Sequence, residues 1–206
     1  MKFEPSDDRI RYVHLELERD LPTHFEEKPL PEGYHYVNYA PGDRDAWIRI
    51  EIGAKEIKDY TEGIEVWNRY YGTHEAELPG RMFFVETSDG DKVATATAMY
   101  DTFNTDDGKL GWLHWVAVRN DHQGKGLSRP LIAHTLNRLI ELGYSRAHIP
   151  TQTSTWLAVR LYLDFGFLPY NISEAKEGWE IARALTDHPT LRNFAAAPLN
   201  RILREP

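Results

Sequence analysis

LGWLHWVAVRNDHQGKGLSRPLIAHT, residues 110–135, decides the fold of this chain because it combines a strand, a turn and a helix in one run. Residues 110–118 are apolar, aromatic or β-branched, which is typical of a strand buried on both faces. Residues 119–125 are polar and favour a turn. From Leu127 onward the apolar side chains recur at the spacing of one helical face, and Gly143 supplies a stop signal.

The turn between this strand and this helix contains Gly124 and Gly126. Glycines let a backbone approach a ligand closely because they carry no Cβ atom. The first amides of the following helix have no partner within the helix, and they lie at the positive end of its dipole. The arrangement therefore favours a bound phosphate or pyrophosphate, and a turn that merely closes a strand–helix connection is the structural alternative.

Three known phosphate-binding patterns can be compared with this turn. A P-loop requires Gly-Lys followed by Ser or Thr, whereas Lys125 is followed by Gly126. A dinucleotide fingerprint requires a third Gly where Arg129 stands, so an NAD(P)-dependent oxidoreductase is only weakly supported. The third pattern is Gln/Arg-x-x-Gly-x-Gly/Ala after a strand that ends in Val. Residues 123–128 after Val118 match it, except that the last position is Ser128.

A second motif follows the next expected strand. The pattern Asn-x-x-Ala-x-x-Leu-Tyr-x-x-x-Gly-Phe is matched, with Thr replacing Asn, at Thr155, Ala158, Leu161, Tyr162, Gly166 and Phe167. With these two motifs the chain resembles the GCN5-related N-acetyltransferase (GNAT) superfamily over roughly residues 80–170. The run around His114 is also similar to that of the arylalkylamine N-acetyltransferases, although their second His is replaced here by Trp112.

The resemblance implies an α/β (α+β) fold: a central mixed, mostly antiparallel sheet flanked by helices, with central strands that splay at the acyl-CoA site. The length favours one domain, residues 1–206. We expect an N-terminal strand and loop extension at residues 1–33, a core at 34–172 and a C-terminal helical tail at 173–206. Hydrophobic periodicity and turn signals predict further strands at 9–17, 34–39, 144–151 and 167–172, helices beginning at residues 43 and 59, and a hairpin of residues 82–87 and 92–103.

The composition limits the partners. The formal charge of -8 argues against nucleic acid or an anionic membrane and suits a cationic amine. There is no Cys, and the His residues have no spacing typical of a metal site, so neither a metal nor a thiol nucleophile is expected. No signal peptide or membrane-spanning run is recognisable in the sequence, which predicts a cytoplasmic protein. A homodimer is left open.

The resemblance also implies which residues bind acetyl-CoA as co-substrate. The backbone of Val116 and Val118 would pair with the pantetheine arm. The second motif adds Thr155, and the pyrophosphate would be bound by residues 123–128, which are Gln123, Gly124, Lys125, Gly126, Leu127 and Ser128.

Two side chains are candidates for proton transfer. His114 would help to deprotonate the amine, because an imidazole with an ordinary pKa of ~6.5 suits a base near neutral pH. Tyr162 occupies the position of the general acid that protonates the leaving thiolate in the resembled family. Each side chain could instead be an ordinary core residue. The predicted function is transfer of an acetyl group from acetyl-CoA to a small, amino-terminal or lysine amine, and a non-catalytic acyl-CoA sensor of the same fold is the alternative.

Overall fold

The computed structural model describes residues 2–101 and 110–204, which form two compact units, Leu21–Ala147 and Met1–Asp20 with His148–Pro206. The elements in chain order are β1 (His14–Asp20), β2 (Tyr34–Asn38), α1 (Arg44–Gly53), α2 (Tyr60–Tyr70), β3 (Met82–Thr87), β4 (Lys92–Tyr100), β5 (Leu110–Val118), α3 (Ser128–Glu141), β6 (Arg146–Gln152), α4 (Trp156–Asp164), β7 (Leu168–Pro169), α5 (Lys176–Thr186) and α6 (Leu199–Ile202).

In the unit Leu21–Ala147, four strands pair antiparallel in the order β2-β3-β4-β5. The predicted hairpin is confirmed: β3 and β4 are joined by a turn at residues 88–91, where Gly90 has a φ of 86°. Residues 102 and 103, the end of the second predicted hairpin strand, lie outside the described residues.

Helices cover both faces of this four-stranded sheet. The first apolar cluster joins α1 and α2 to one face and includes Trp47, Trp67 and Tyr71, all fully buried. The second joins α3 to the other face through Leu127 and Leu131. The strands are therefore buried from both sides, which explains why β5 reads as a nearly continuous apolar run rather than an alternating one.

The other unit contains the chain ends. Here β1 lies between β6 and β7, and it pairs antiparallel with β7 through Leu17 and Pro169. The strand predicted at residues 9–17 begins only at His14, since Ile10 instead forms an isolated bridge with Leu203. The last strand, predicted at 167–172, is reduced to two residues, because Pro169 has no N–H to donate to a ladder.

The predicted fold class is confirmed: strands form a mixed, mostly antiparallel sheet arrangement with flanking helices. The predicted C-terminal helix is also present as α5, where Trp179 and Ala182 are buried. The splaying of the central strands and the single-domain boundaries stay predictions.

Candidate functional site

The glycine turn after β5 has the backbone conformation that its sequence predicts. Gly124 and Gly126 have φ values of 74° and 84°, which lie in the left-handed region that favours glycine. The side chain of Gln123 closes the turn, since its Nε2 donates to the carbonyl oxygen of Val118 at 2.9 Å. A Cβ atom at Gly124 would meet nothing within 4 Å, whereas one at Gly126 would lie 3.8 Å from Pro31 Cγ, so the turn is open at Gly124.

Helix α3 begins directly after this turn, at Ser128. The residue at its N-cap position is Leu127, whose apolar side chain makes no capping hydrogen bond. A helix of 14 residues thus presents the positive end of its dipole beside the glycines. Such an end attracts an anion.

Strand β5 contains a bulge just before the turn. Thr97 of β4 pairs with His114, whereas Thr95 pairs with Ala117, so two residues of β5 stand opposite one residue of β4. Trp115 takes up the extra length with a φ of 46°, an uncommon conformation for an aromatic residue. The bulge interrupts the regular ladder next to Val116, one of the two residues proposed for backbone contact with pantetheine.

The bulge also determines which side chains share a face. Val116 and Val118 pack in the cluster on the α3 side of the sheet. His114 and Ala117 belong to the opposite side, because their partners on β4 are two residues apart and therefore point the same way. Strand β5 consequently has one face that packs against α3 and an opposite face that packs against α1 and α2.

His114 lies in an aromatic environment on the α1–α2 side. The rings of Tyr70, Tyr71, Trp112 and Trp115 have centroids 4.9 to 6.0 Å from the imidazole. Only 6% of the residue is exposed, and burial lowers the pKa of His114 to about 3. The imidazole is therefore neutral at physiological pH, and the ordinary pKa assumed from the sequence does not apply to it.

His114 belongs to a small buried polar group. The Tyr71 hydroxyl donates to Thr97 Oγ1 at 3.1 Å and lies 3.1 Å from His114 Nδ1. Glu51 of α1, also fully buried, raises the pKa of the Tyr71 phenol further, although burial is the larger cause. This buried polar cluster of Glu51, Tyr71, Thr97 and His114 lies within an otherwise apolar core.

The remaining predicted residues of the turn have different exposures. Lys125 is exposed, with its Nζ 3.4 Å from His122 Nδ1. Leu127 is buried in the apolar cluster under α3, and Ser128 is half-buried at the start of that helix. The backbone of the turn thus faces outward while Leu127 anchors it.

Tyr162 and Thr155 belong to the other unit. Tyr162 lies on α4 with 6% of its surface exposed, and its ring packs edge-on against Phe167 at 6.4 Å. Thr155 is buried before α4, and its hydroxyl donates to the carbonyl oxygen of Gln152 at 3.1 Å. These contacts describe each residue within its own unit, and the roles predicted for both stay predictions.

Two features of the site were missed from the sequence. No sequence pattern indicates the bulge at Trp115, because Trp is not a residue that favours a positive φ. Glu51 did have a signal in the sequence: it lies four residues after the apolar Trp47, and so on the same face of the predicted helix. An acid on the buried face of a predicted helix was a detectable anomaly.

The family of this chain is established by comparison with known proteins. Residues 45–167 match the model of the acetyltransferase (GNAT) family, and the chain belongs to that family. The match includes β5, the glycine turn and the second motif, which confirms the predicted superfamily. The sequence matches none of the curated proteins to which it was compared.

Solved structures share the fold. A GCN5-related N-acetyltransferase from Sphaerobacter thermophilus superimposes with a TM-score of 0.62 at 20% identity, over 79% of this chain and 49% of that one. An acetyltransferase of the GNAT family from Colwellia psychrerythraea gives 0.56 at 13% identity, over 79% and 55%. A GCN5-related N-acetyltransferase from Kribbella flavida gives 0.50 at 18% identity, over 77% and 56%. The chain thus spans about half the length of these proteins.

The described part of the chain, residues 2–101 and 110–204, contains no group of three or more His, Asp or Glu side chains arranged to hold a metal ion. None of its helices combines the length and the apolar character needed to cross a bilayer.

Proposed function

We propose that the chain transfers an acetyl group from acetyl-CoA to a primary amine. The amine nitrogen forms a bond to the acetyl carbonyl carbon, the carbon–sulfur bond breaks, and its electron pair leaves with the sulfur of CoA. The amine must lose a proton before or during this attack, and the thiolate must gain one. The proposal therefore needs a binding site for CoA, a proton acceptor and a proton donor.

The observation that carries the proposal is the continuous run from the β5 bulge through the glycine turn to α3. The interrupted ladder would offer the backbone of Val116 and Val118 to the pantetheine arm. The outward-facing turn of residues 123–128 and the start of α3 would receive the pyrophosphate. An exposed turn with two left-handed glycines fits this group, and Thr155, in the family's second motif, is a further proposed contact of acetyl-CoA.

For the proton acceptor we propose His114. A lysine-like amine has a pKa of about 10.4, so its neutralisation at pH 7 costs ~4.6 kcal/mol and a base lowers this barrier. An imidazole whose pKa is about 3 is a weak base by itself. His114 therefore needs support from its surroundings in order to accept the proton.

For the proton donor we propose Tyr162, which holds the position of the general acid in the family's second motif. A phenol with an ordinary pKa near 10 is protonated at neutral pH and can donate to a thiolate.

The acceptor is proposed to be a cationic amine: a small primary amine, an amino terminus or a lysine side chain. The formal charge of -8 attracts cations at long range. The half-buried rings of Tyr70 and Trp115 next to His114 suit an ammonium group, because aromatic faces attract cations. The predicted cytoplasmic location and the option of a homodimer stay predictions.

Calorimetric titration with acetyl-CoA, compared with CoA and NADPH, tests the first requirement. We expect binding of both CoA forms and none of NADPH. Release of free thiol on addition of amines from a panel would then support the transferase. Binding without release would favour the acyl-CoA sensor, and preferential binding of NADPH would contradict the proposal.

The Tyr162→Phe variant tests the chemistry. We expect kcat to fall about 10²-fold or more, because the proton donor is lost while the ring and its packing against Phe167 are kept. The Kd for acetyl-CoA should stay unchanged. Unaltered turnover would remove Tyr162 from the chemistry.

A further inference from the structure

The glycine turn is held by a contact from outside its own run of sequence. The hydroxyl of Tyr34, the first residue of β2, lies 2.9 Å from Nδ1 of His122, and 88 residues separate the two along the chain. Their rings also pack edge-on, with centroids 5.8 Å apart. His122 directly precedes residues 123–128, so this contact joins β2 to the segment that would receive the pyrophosphate.

The partners of His122 indicate which of its ring nitrogens accepts a hydrogen bond. Lys125 Nζ, which can only donate, lies 3.4 Å from the same Nδ1, so Nδ1 is an acceptor. Nε2 lies 3.6 Å from a carboxylate oxygen of Asp121 and is the nitrogen that carries the proton. The Tyr34 hydroxyl is therefore a donor to Nδ1. Only 14% of the His122 side chain is exposed, so this hydrogen bond is largely sheltered from water.

The backbone that leads into β2 also lies against the glycine turn. A Cβ atom at Gly126 would lie 3.8 Å from Pro31 Cγ. The amide of Tyr34 donates to the carbonyl oxygen of Pro31 at 3.2 Å, and the carbonyl oxygen of Gly33 accepts from the amide of Ser88 at 3.1 Å. This short segment is thus fixed to the hairpin of β3 and β4 and placed beside the glycine turn.

The charges beside the turn favour an anion. Asp121 would repel a phosphate, but its two carboxylate oxygens accept from Nε and a terminal nitrogen of Arg119, both at 2.8 Å. The negative charge of Asp121 is therefore compensated. Lys125 adds a positive charge on the turn itself, next to the imidazole of His122.

The two glycines explain why a contact at the start of the turn matters for binding. A glycine loses more conformational freedom than any other residue when its backbone is ordered, and the turn contains two of them within three residues. A turn that is already ordered in the free protein loses less entropy when a ligand binds. A hydrogen bond next to the turn therefore improves affinity without touching the ligand.

We propose that Tyr34 and His122 are positioning residues for acetyl-CoA: the Tyr34 hydroxyl fixes the imidazole, and the imidazole fixes the start of the glycine turn and the Lys125 ammonium beside it. The pair lies next to the proposed pyrophosphate site, so it should affect affinity and not the transfer step. The inference rests on the proposed function, since it concerns the same acetyl-CoA site.

The Tyr34→Phe variant tests the role in binding. We expect the Kd and KM for acetyl-CoA to rise about three- to tenfold, which corresponds to the loss of one hydrogen bond, while kcat at saturation stays at the wild-type value. Tyr36→Phe is the matched control. It removes a hydroxyl from the same face of β2, and that hydroxyl has no hydrogen-bond partner in the described part of the chain. Its Kd should equal that of the wild type.

Two results of this comparison would overturn the proposal. One is a Kd that is unchanged in Tyr34→Phe or raised equally in both variants. The other is a fall in kcat with an unchanged Kd, because a positioning role at the pyrophosphate does not predict it.

A double-mutant cycle tests whether the two side chains act as a pair. We expect Tyr34→Phe combined with His122→Ala to bind acetyl-CoA no more weakly than His122→Ala alone, because the hydroxyl has already lost its acceptor. His122→Asn, which keeps a side-chain acceptor near the position of Nδ1, should recover part of the affinity. Losses that multiply in the double variant would show that the residues act independently and would refute the pair.

Relaxation of the ¹⁵N-labelled amides of Gly124 and Gly126 in the ligand-free protein gives a readout that needs neither binding nor turnover. We expect lower order parameters in Tyr34→Phe than in the wild type and in Tyr36→Phe. Identical order parameters in all three proteins would contradict an ordering role of Tyr34.

The measurements distinguish the two possible failures. A wild type that does not bind acetyl-CoA refutes the proposed function, whatever the order parameters of the turn are. A wild type that binds acetyl-CoA and acetylates an amine, with a Tyr34→Phe variant of equal affinity, refutes the positioning role alone.

Discussion

The glycine turn and the buried polar cluster lie on opposite faces of the same four-stranded sheet and are built in opposite ways. The turn presents backbone: its glycines are exposed, and the binding proposed for it depends on backbone amides rather than on side chains. The cluster consists of buried side chains: Glu51 and Tyr71 are fully buried, and exclusion of water is the main cause of their raised pKa values. Both arise around β5.

The difference shows why the two sites should respond differently to substitution. In the turn, a substitution changes φ and the access of a ligand, so affinity is altered more than proton chemistry. In the cluster, a substitution changes desolvation and charge, so stability becomes dependent on pH. Four substitutions, measured for stability or binding, test this contrast.

The largest effect is expected for Glu51→Gln in the pH dependence of stability. Since the pKa of Glu51 is raised in the folded state, above about pH 4.5 the unfolded chain releases a proton that the folded chain retains. Wild-type stability therefore falls as pH rises until the folded pKa is passed. The difference in unfolding free energy between variant and wild type should widen in favour of the variant by up to about 1.4 kcal/mol per pH unit. Urea unfolding at several pH values measures it.

His114→Asn provides the comparison of opposite sign. The pKa of His114 is lowered to about 3, so the wild type loses stability as pH falls from about 6.5 towards 3. The variant should lose this dependence at acidic pH and keep the one due to Glu51. Parallel pH curves for all three proteins would show that neither group is buried as described.

A medium effect is expected for Tyr71→Phe. The change leaves Thr97 Oγ1 and His114 Nδ1 without this hydroxyl partner and should lower the unfolding free energy by about 1–3 kcal/mol. Tyr36→Phe is the matched control, because the Tyr36 hydroxyl is buried without a hydrogen-bond partner among the described residues. Its removal should be neutral or stabilising, as measured by urea unfolding. Equal losses in both variants would argue against a special polar cluster.

The smallest effect is expected for Gly124→Ala. At a φ of 74° a Cβ atom should cost about 1 kcal/mol of stability, and the strained turn should bind acetyl-CoA several-fold more weakly. Gly90→Ala is the matched control, since Gly90 has a φ of 86° and equally open surroundings in the hairpin turn. It should lose similar stability and no affinity. Calorimetry that finds equal affinity for both variants would contradict pyrophosphate binding at residues 123–128.

The sequence predicted the turn better than the cluster for a physical reason. Local rules govern the turn: glycines, a strand that ends in Val118 and the start of α3 are all encoded within about twenty residues. The cluster draws on separate parts of the chain, and no local pattern specifies that the Tyr71 hydroxyl contacts His114 or that Glu51 is fully buried. The shift in the His114 pKa is likewise a consequence of tertiary burial, so the ordinary value was the only one available from the sequence.

Two strands differ in length from the prediction, for different reasons. The strand predicted at residues 9–17 begins late, because Ile10 pairs with the distant Leu203, and the strand at 167–172 is short because of Pro169. Only the shortening at Pro169 follows from the local sequence, since a proline limits strand pairing wherever it occurs.

The bulge at Trp115 also shifts the alternation of side chains along β5. A strand has a period of two residues, and one additional residue shifts that period for everything after it. The alternation up to His114 and the alternation from Ala117 onward are out of phase. His114 and Ala117 therefore face the same side although they are three positions apart. A deletion of Trp115 would restore a regular ladder in which His114 and Ala117 still share a face, and it would also remove the ring that packs against Trp47 and Tyr70. The irregular backbone next to Val116 thus depends on a single additional residue in β5.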